Sequence, residues 1–446
     1  MDIRLDAGRC CIVASQNVSV FLKRSVWIER ERAEGRPLRP IRLFRPFRPL
    51  LSVLSVPVFL PSVFNAYAIC APGLEALTAR ELGALGIEPL TVEPGGVTFD
   101  ATPSQLYAAN LQLRTASRVV VRGAQFRART FQELERHAKR IPWRDFVPDR
   151  GLVSFRVTSK KSKLYHQKGI AERLGEAIAG VVPGARAEAP EPGSATPEPD
   201  YEESGAQLFV VRTFRDDFTI SADSSGQLLH RRGYRLATAK APLRETLAAA
   251  MLLGADWSGT TPLADPFCGS GTIAIEAALL ARRIPPGWRR HFAFEQWPGF
   301  DAAAWRALRS AVESRILARS PVPIMAGDRD GGAIEAARSN AVRAGVLDDI
   351  AFQQRALSDF EPGNEPGALL TNPPYGIRIG EAQRLRNLFA TLGQLADRQL
   401  AGWTVGWLSA NPRLDAATEL SFNERFRTTN GGIRVRLVVA PGQSRS

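Results

Sequence analysis

Asp265-Pro266-Phe267-Cys268-Gly269-Ser270-Gly271-Thr272 stands between a short apolar run, residues 262–265, and a longer one, residues 273–281. The phrase reads as a strand, a tight turn and a helix. Gly269 and Gly271 let the backbone come close to a ligand. The helix that follows offers free N–H groups at its start. In a pyrophosphate site that end faces phosphates, but the full Gly-x-Gly-x-x-Gly pattern is absent here. An acid, Asp265, ends the strand instead, and it suits a ligand with an ammonium group, such as a methionine moiety. The alternative is a βα turn that binds nothing.

Outward from this phrase, strands and helices alternate. The pattern predicts strands over 262–265, 322–327, 351–355, 368–371 and 404–409, with helices over 273–281, 302–316, 332–344 and 381–400. A final pair of strands, 425–429 and 433–439, flanks Asn430-Gly431-Gly432, a hairpin signal. The expected architecture is an α/β, doubly wound parallel sheet finished by an antiparallel hairpin. Two further motifs fall at strand ends. Gly327-Asp328-Arg329-Asp330 places an acid where both hydroxyls of a ribose can be accepted. Asp330 can cap the next helix. Residues 284–321 separate this motif from the first, so spacing alone does not tie them together. Thr371-Asn372-Pro373-Pro374-Tyr375-Gly376 follows an apolar strand. Its prolines lock the backbone and fix the direction of the carbonyls. With the Asn372 side-chain carbonyl they can accept both hydrogens of an exocyclic amine, and Tyr375 offers a face on which a base can stack. Such a site works by positioning and electrostatics, and the base must be single-stranded or extruded to reach it.

The half before residue 224 alternates short strands (67–70, 97–99, 117–126, 152–158, 208–213, 218–223) with helices (73–85, 106–113, 130–141, 170–178). This predicts one small α+β domain, or two. Lys160, Lys161, Lys163 and Tyr165 lie in a basic loop, and Arg231 and Arg232 in the stretch His230–Arg235; both can touch nucleic-acid phosphates or simply be solvated. Residues 183–206, with five prolines and six acids, read as a flexible acidic loop. A helix over 241–253 opens the second domain, so the expected division is 1–63, 64–223 and 224–446. Residues 1–60 carry ten Arg and one Lys against five acids. The apolar run 50–64 that follows is too short to span a membrane. A disordered basic extension is the expected reading; a targeting segment or a folded domain are the others.

The whole chain has 446 residues, 44% hydrophobic and 23% charged, in line with a globular protein of two or three domains. Its 58 Lys and Arg against 45 acids give a net charge of +13, which favours an anionic partner such as nucleic acid. The four cysteines form no Cys-x-x-Cys pair, and the four histidines no His-Glu-x-x-His. Disulfides, a structural metal and an iron–sulfur site are therefore not expected. No Pro-Cys dipeptide supplies a cysteine nucleophile, and no Gly-x-x-x-x-Gly-Lys supports an ATPase.

The phrases DPFCGSGT and TNPPYG resemble class I S-adenosylmethionine-dependent methyltransferases that modify exocyclic amines. LLHRRGYR, APLRETLAAAML and DPFCGSGTIAIEAA, with AYAICAPGLEALTARELGALG and SKKSKLYHQKGIAERL upstream, resemble the THUMP-domain RNA methyltransferases, in particular those acting on guanine N2 of 23S rRNA. The resemblance covers residue 64 to the C-terminus. It implies a Rossmann-like methyltransferase domain after a ferredoxin-like and THUMP region that binds RNA, in a cytoplasmic enzyme with no membrane partner. It implies that Asp265, Pro266, Phe267, Cys268, Gly269, Ser270, Gly271 and Thr272 form the S-adenosylmethionine loop. Asp328, with Asp330 nearby, would hold the ribose, and Asn372, Pro373, Pro374 and Tyr375 the guanine amine, with Asn372 also beside the cofactor. One departure stands out: Ala356 occupies the place of an acid expected near the adenine, and Asp359 lies three residues later. Some relatives carry a second methyltransferase domain; this chain runs to Ser446 without one, so one modification is expected. The rival readings are a tRNA guanine-N2 methyltransferase, an amine or amide methyltransferase acting on DNA or protein, and a catalytically silent RNA-binding assembly factor.

Overall fold

Two sheets organise residues 63–188, 205–235, 243–363, 365–374 and 382–442, the parts of the chain that this computed structural model describes. The first contains β1 (Phe64–Cys70), β2 (Pro89–Glu93), β3 (Gly96–Ala101), β4 (Ala116–Arg127), β5 (Leu152–Lys160), β6 (Arg186–Ala187), β7 (Gln207–Phe214) and β8 (Asp217–Asp223). Its strand order is β2-β3-β1-β4-β8-β7-β5-β6. The opening β1-helix-β2-β3-helix-β4 unit is antiparallel throughout, the split βαβ arrangement of ferredoxin-like domains. Antiparallel pairing of β4 with β8, Val120 opposite Asp223 through Arg127 opposite Asp217, joins it to the remaining strands. One continuous sheet therefore replaces the two small units that the sequence left open. Alternation places Phe218, Ile220 and Ala222 of β8 in the core, as period two requires.

Two features of this half differ from the sequence reading. β2 was not foreseen: four of its five residues are exposed, and it owes its form to pairing with β3. Arg186–Ala187 begins inside the expected acidic loop yet pairs parallel to β5, with Arg186 N donating to Gly151 O and Glu188 N to Val153 O. Most of that loop, and the basic extension, lie outside the described residues.

The second sheet contains β9 (Leu263–Asp265), β10 (Ile324–Asp328), β11 (Ala351–Gln354), β12 (Ala368–Thr371), β13 (Thr404–Ser409), β14 (Asn423–Asn430) and β15 (Ile433–Ala440). The order is β11-β10-β9-β12-β13-β15-β14. The first five strands run parallel and the last two close the edge antiparallel. Helices Thr272–Ala281 and Gly331–Ala344 cover one face and Ala382–Gln399 the other. Leu369 of β12 points to one layer and Leu370 to the other, which is why this strand reads as continuously apolar. The hairpin turns at Gly431 and Gly432, with φ of 56° and 83°.

Part of the insertion between β9 and β10, residues 287–312, packs onto the first sheet. Phe292, Phe294, Trp297 and Trp305 are buried in its core. Phe294 stacks on Tyr107 at 4.4 Å between ring centroids, and the Trp297 indole N–H donates to Gln207 Oε1 at 2.8 Å. The backbone joins in, with Gly287 N donating to Leu111 O and Phe294 N to Ser224 O.

Candidate active site

The strand order reverses direction between β9 and β12, and ligands of open α/β sheets bind at the carboxyl ends beside such a reversal. The three sequence motifs end β9, β10 and β12, so the fold brings all three to one edge. Asp265 is 1% exposed. Its Oδ1 accepts from the Thr371 hydroxyl at 2.5 Å and from Phe267 N at 3.2 Å. Its Oδ2 is buried and has no partner. Burial pushes the carboxyl up to about 7; the Thr371 and Phe267 bonds oppose this, and the nearby Asp328 charge adds to it.

Gly269 and Gly271 take positive φ, 50° and 82°, which other residues adopt only at a cost. A Cβ at Gly269 would meet nothing, leaving open space above the loop; one at Gly271 would lie 2.9 Å from the Ala337 methyl. Gly269 N donates to Asp328 Oδ2 at 3.0 Å, and Asp330 N donates to Asp328 Oδ1 at 3.0 Å. The acid that ends β10 is thus fastened to the glycine loop and keeps acceptor capacity on each oxygen. Asp330 caps helix Gly331–Ala344 through Oδ1, accepting from Gly332 N and Ala333 N. Pro266 is buried and Phe267 packs against the layer of Phe360 and Phe389. Burial, and then the charges of Asp265 and Asp328, push the Cys268 thiol up, so it stays protonated and serves packing.

At the end of β12, Thr371 is fully buried and bonded to Asp265, while the next residue, Asn372, holds a buried Oδ1 with no partner. Pro373 is buried and Pro374 exposed. Tyr375 lies outside the described residues. Beyond β11, Ala356 and Asp359 are exposed at either end of a short 3-10 turn, Leu357–Asp359.

Several supporting residues were not singled out from the sequence. Thr371 holds Asp265, 106 positions away. Asn340 donates its side-chain amide to Ser270 O at 2.9 Å, fixing the glycine loop from the neighbouring helix. Arg343 donates to Tyr234 O at 2.7 Å and to Asn340 Oδ1 at 2.5 Å. Arg235 donates to the Thr272 hydroxyl at 2.5 Å. In the sequence Asn340 and Arg343 are visible only as polar residues of a helix, Arg235 only as part of a basic stretch and Thr371 only as the residue before Asn372. One expectation is corrected here. The basic stretch suggests Arg232 as a phosphate contact, but it is 5% exposed: it donates to Arg114 O at 2.7 Å, to Leu229 O, and lies 3.6 Å from Glu276. It is a buried tie between the backbone at Arg114 and helix Thr272–Ala281, closed to a phosphate. Arg231 is exposed, as are Lys160, Lys161, Lys163 and Tyr165.

A parallel sheet with this order, a glycine loop after the first strand and acids ending the first two strands define a class I S-adenosylmethionine-dependent methyltransferase. The residues fit that cofactor. An orphaned carboxylate oxygen awaits a cation, and open space lies over Gly269 in the turn that leads into helix Thr272–Ala281. Residues 232–438 match the family model "RMKL-like, methyltransferase domain", and residues 65–120 match "RlmL ferredoxin-like domain". The Bacillus subtilis protein named "Putative RNA methyltransferase YpsC" is 36% identical over 83% of this chain and 94% of its own. The ribosomal RNA large subunit methyltransferase K/L of Marinobacter nauticus is 34% identical over 84% of this chain; the chain spans 52% of that relative's length. The crystal structure of SMU.472, complexed with S-adenosylhomocysteine, superposes with a TM-score of 0.76 at 30% identity, covering 87% of this chain and all of that one. The chain belongs to the RlmL-like methyltransferase family, and its cofactor is S-adenosylmethionine.

Proposed function

We propose that the chain methylates the exocyclic N2 amine of a guanine in RNA, with 23S rRNA as the substrate. The observation that carries this reading is the buried, unpartnered Oδ1 of Asn372, one residue from the threonine that fastens Asp265. A buried acceptor without a donor is costly, and an incoming amine relieves it. The names "Putative RNA methyltransferase YpsC" and "Ribosomal RNA large subunit methyltransferase K/L" support RNA as the substrate class.

In this reading Asp265 Oδ2 accepts the cofactor's ammonium group, and residues Pro266 to Thr272 form its cradle. Asp328 accepts ribose hydroxyls while Asp330 caps the adjoining helix. Bound S-adenosylmethionine supplies an electrophilic methyl group. Asn372 Oδ1 and the Pro373 carbonyl accept the two amine hydrogens, which turns the nitrogen lone pair out of conjugation and toward that methyl. As the amine so held takes up that methyl, its proton would leave to solvent. Tyr375 stacks on the base. Positioning by fixed acceptors supplies the rate, with no strong base. The first sheet binds the RNA, and the enzyme acts in the cytoplasm as a THUMP-type protein; no helix among the described residues is long and apolar enough to cross a membrane.

Nucleoside mass spectrometry on separated 23S, 16S and transfer RNA, with and without the gene, tests the assignment. Loss of N2-methylguanosine from 23S alone is expected. Loss from tRNA would move the substrate, and no loss from any pool would refute RNA guanine methylation.

A further inference from the structure

Among the described phenylalanine, tyrosine and tryptophan side chains, two are more than half exposed: Tyr165 at 66% and Phe214 at 51%. They lie on segments that are tied to each other. Ser162 Oγ and Thr213 Oγ1 share a hydrogen bond of 3.0 Å, and Asp216 N donates to Ser162 Oγ at 3.0 Å. Asp216 Oδ1 in turn accepts from Lys163 N at 2.7 Å, and Arg215 N donates to Lys160 O. The loop at 160–166 and the β7–β8 turn at 214–217 thus form a single tip at one end of the first sheet.

That tip is cationic. Lys160 is the register partner of Phe214, and Lys161, Lys163 and Arg215 are all exposed beside them. The Arg215 guanidinium sits 5.1 Å from the Phe214 ring centre. Of the two acids here, Asp216 is consumed: the Lys163 N–H first, and then the Arg129 guanidinium, hold its carboxyl below the usual range. Asp217 is the remaining acid, facing Phe214 across the hairpin. The backbone is also unusual. Lys161, Arg215 and Asp216 have φ of 53°, 53° and 71°, three of the seven described non-glycine residues with positive φ. A two-residue hairpin turn of this kind prefers Asn-Gly. Placing Arg-Asp there costs stability and gains an arginine at the tip and an acid that clamps the loop.

Single exposed apolar residues need no explanation. Two exposed aromatics on a tip that also carries four exposed cations do, and the combination fits unpaired nucleotides: bases stack on aromatic faces while phosphates meet the cations. A duplex offers no free base faces to such a surface. We propose that this tip is a binding site for single-stranded RNA, with Tyr165 and Phe214 as stacking platforms. The proposal rests on the reading of RNA as the substrate class.

The test is fluorescence anisotropy with the full chain, a labelled mixed-sequence single-stranded oligoribonucleotide, and the same sequence as a duplex. The variants are Tyr165→Ala, Phe214→Ala and their double, with Tyr165→Phe and Phe214→Tyr as aromatic replacements. Each alanine should weaken single-strand binding by about fivefold to a hundredfold, the range of one lost base stack. The aromatic replacements should restore it, and duplex affinity should not change. Lys161→Ala should instead reduce the salt slope of log Kd by about 0.7, the share of one phosphate contact on a single strand. Unchanged S-adenosylhomocysteine affinity verifies that each variant is folded. Wild-type-like single-strand binding by the double alanine variant would overturn the platform while leaving the RNA reading intact, as would an equal loss on duplex. Failure of the wild type to bind either RNA would overturn the RNA reading itself, and the platform with it.

Discussion

Proton release on cofactor binding probes the site most directly, because Asp265 carries an unpaired buried oxygen and a carboxyl raised to about 7. Without ligand, this acid keeps its proton through most of the range in which a free aspartate, near 3.9, has lost it. A raised carboxylate makes folding most favourable below the unfolded value, and that contribution declines as pH climbs toward the folded value near 7. An ammonium group placed against Oδ2 reverses the preference and selects the ionised form. From a folded value of about 7, roughly a tenth of the protein is ionised at pH 6 and about half at pH 7. S-adenosylhomocysteine affinity should therefore rise about fivefold between these values. About half a proton should be released per site at pH 7, read by isothermal titration calorimetry in buffers of different ionisation enthalpy. Asp265→Asn should bind more weakly and lose both the pH dependence and the proton release. A flat pH profile, or proton uptake, would refute the pairing of Asp265 with a cationic group.

Asn372→Ala should leave S-adenosylhomocysteine affinity within twofold of wild type while lowering methyl transfer by about 100-fold or more, the scale of one lost transition-state contact; near-normal turnover would remove Asn372 from catalysis. Asn340→Ala frees the Ser270 carbonyl and should weaken cofactor binding by about 2–10-fold, the value of one hydrogen bond; an unchanged Kd would show that the loop holds its shape without this tie. Trp297→Ala empties a buried site and strands Gln207 Oε1. It should cost about 3–5 kcal/mol in urea denaturation, and a loss under ~1 kcal/mol would mean that the insertion contributes little to the first sheet's core.

Much of this molecule is legible residue by residue. The parallel strands and the terminal hairpin fall within a few positions of where alternation, glycine and proline put them, because those signals act over neighbouring residues. The glycine loop, both acids that end strands and the Asn-Pro-Pro motif were visible for the same reason: their conformational demands are local. β2 escaped notice because its side chains are exposed and its ladder belongs to β3. Arg232 was misplaced because an arginine in a charged stretch looks the same whether it meets water or Glu276.

The sequence alone determined the alternation that makes a doubly wound sheet, the residue types at its three strand ends and the basic character of the protein. Tertiary structure decided what depends on distant partners. It joined the N-terminal strands into one sheet through the β4–β8 pairing, and it brought Phe292, Phe294, Trp297 and Trp305 into that sheet's core. It set Thr371 against Asp265, leaving one carboxylate oxygen buried and unpaired. Burial and unsatisfied valence are properties of a packed environment. They arise only when residues far apart in the chain exclude water from the same place.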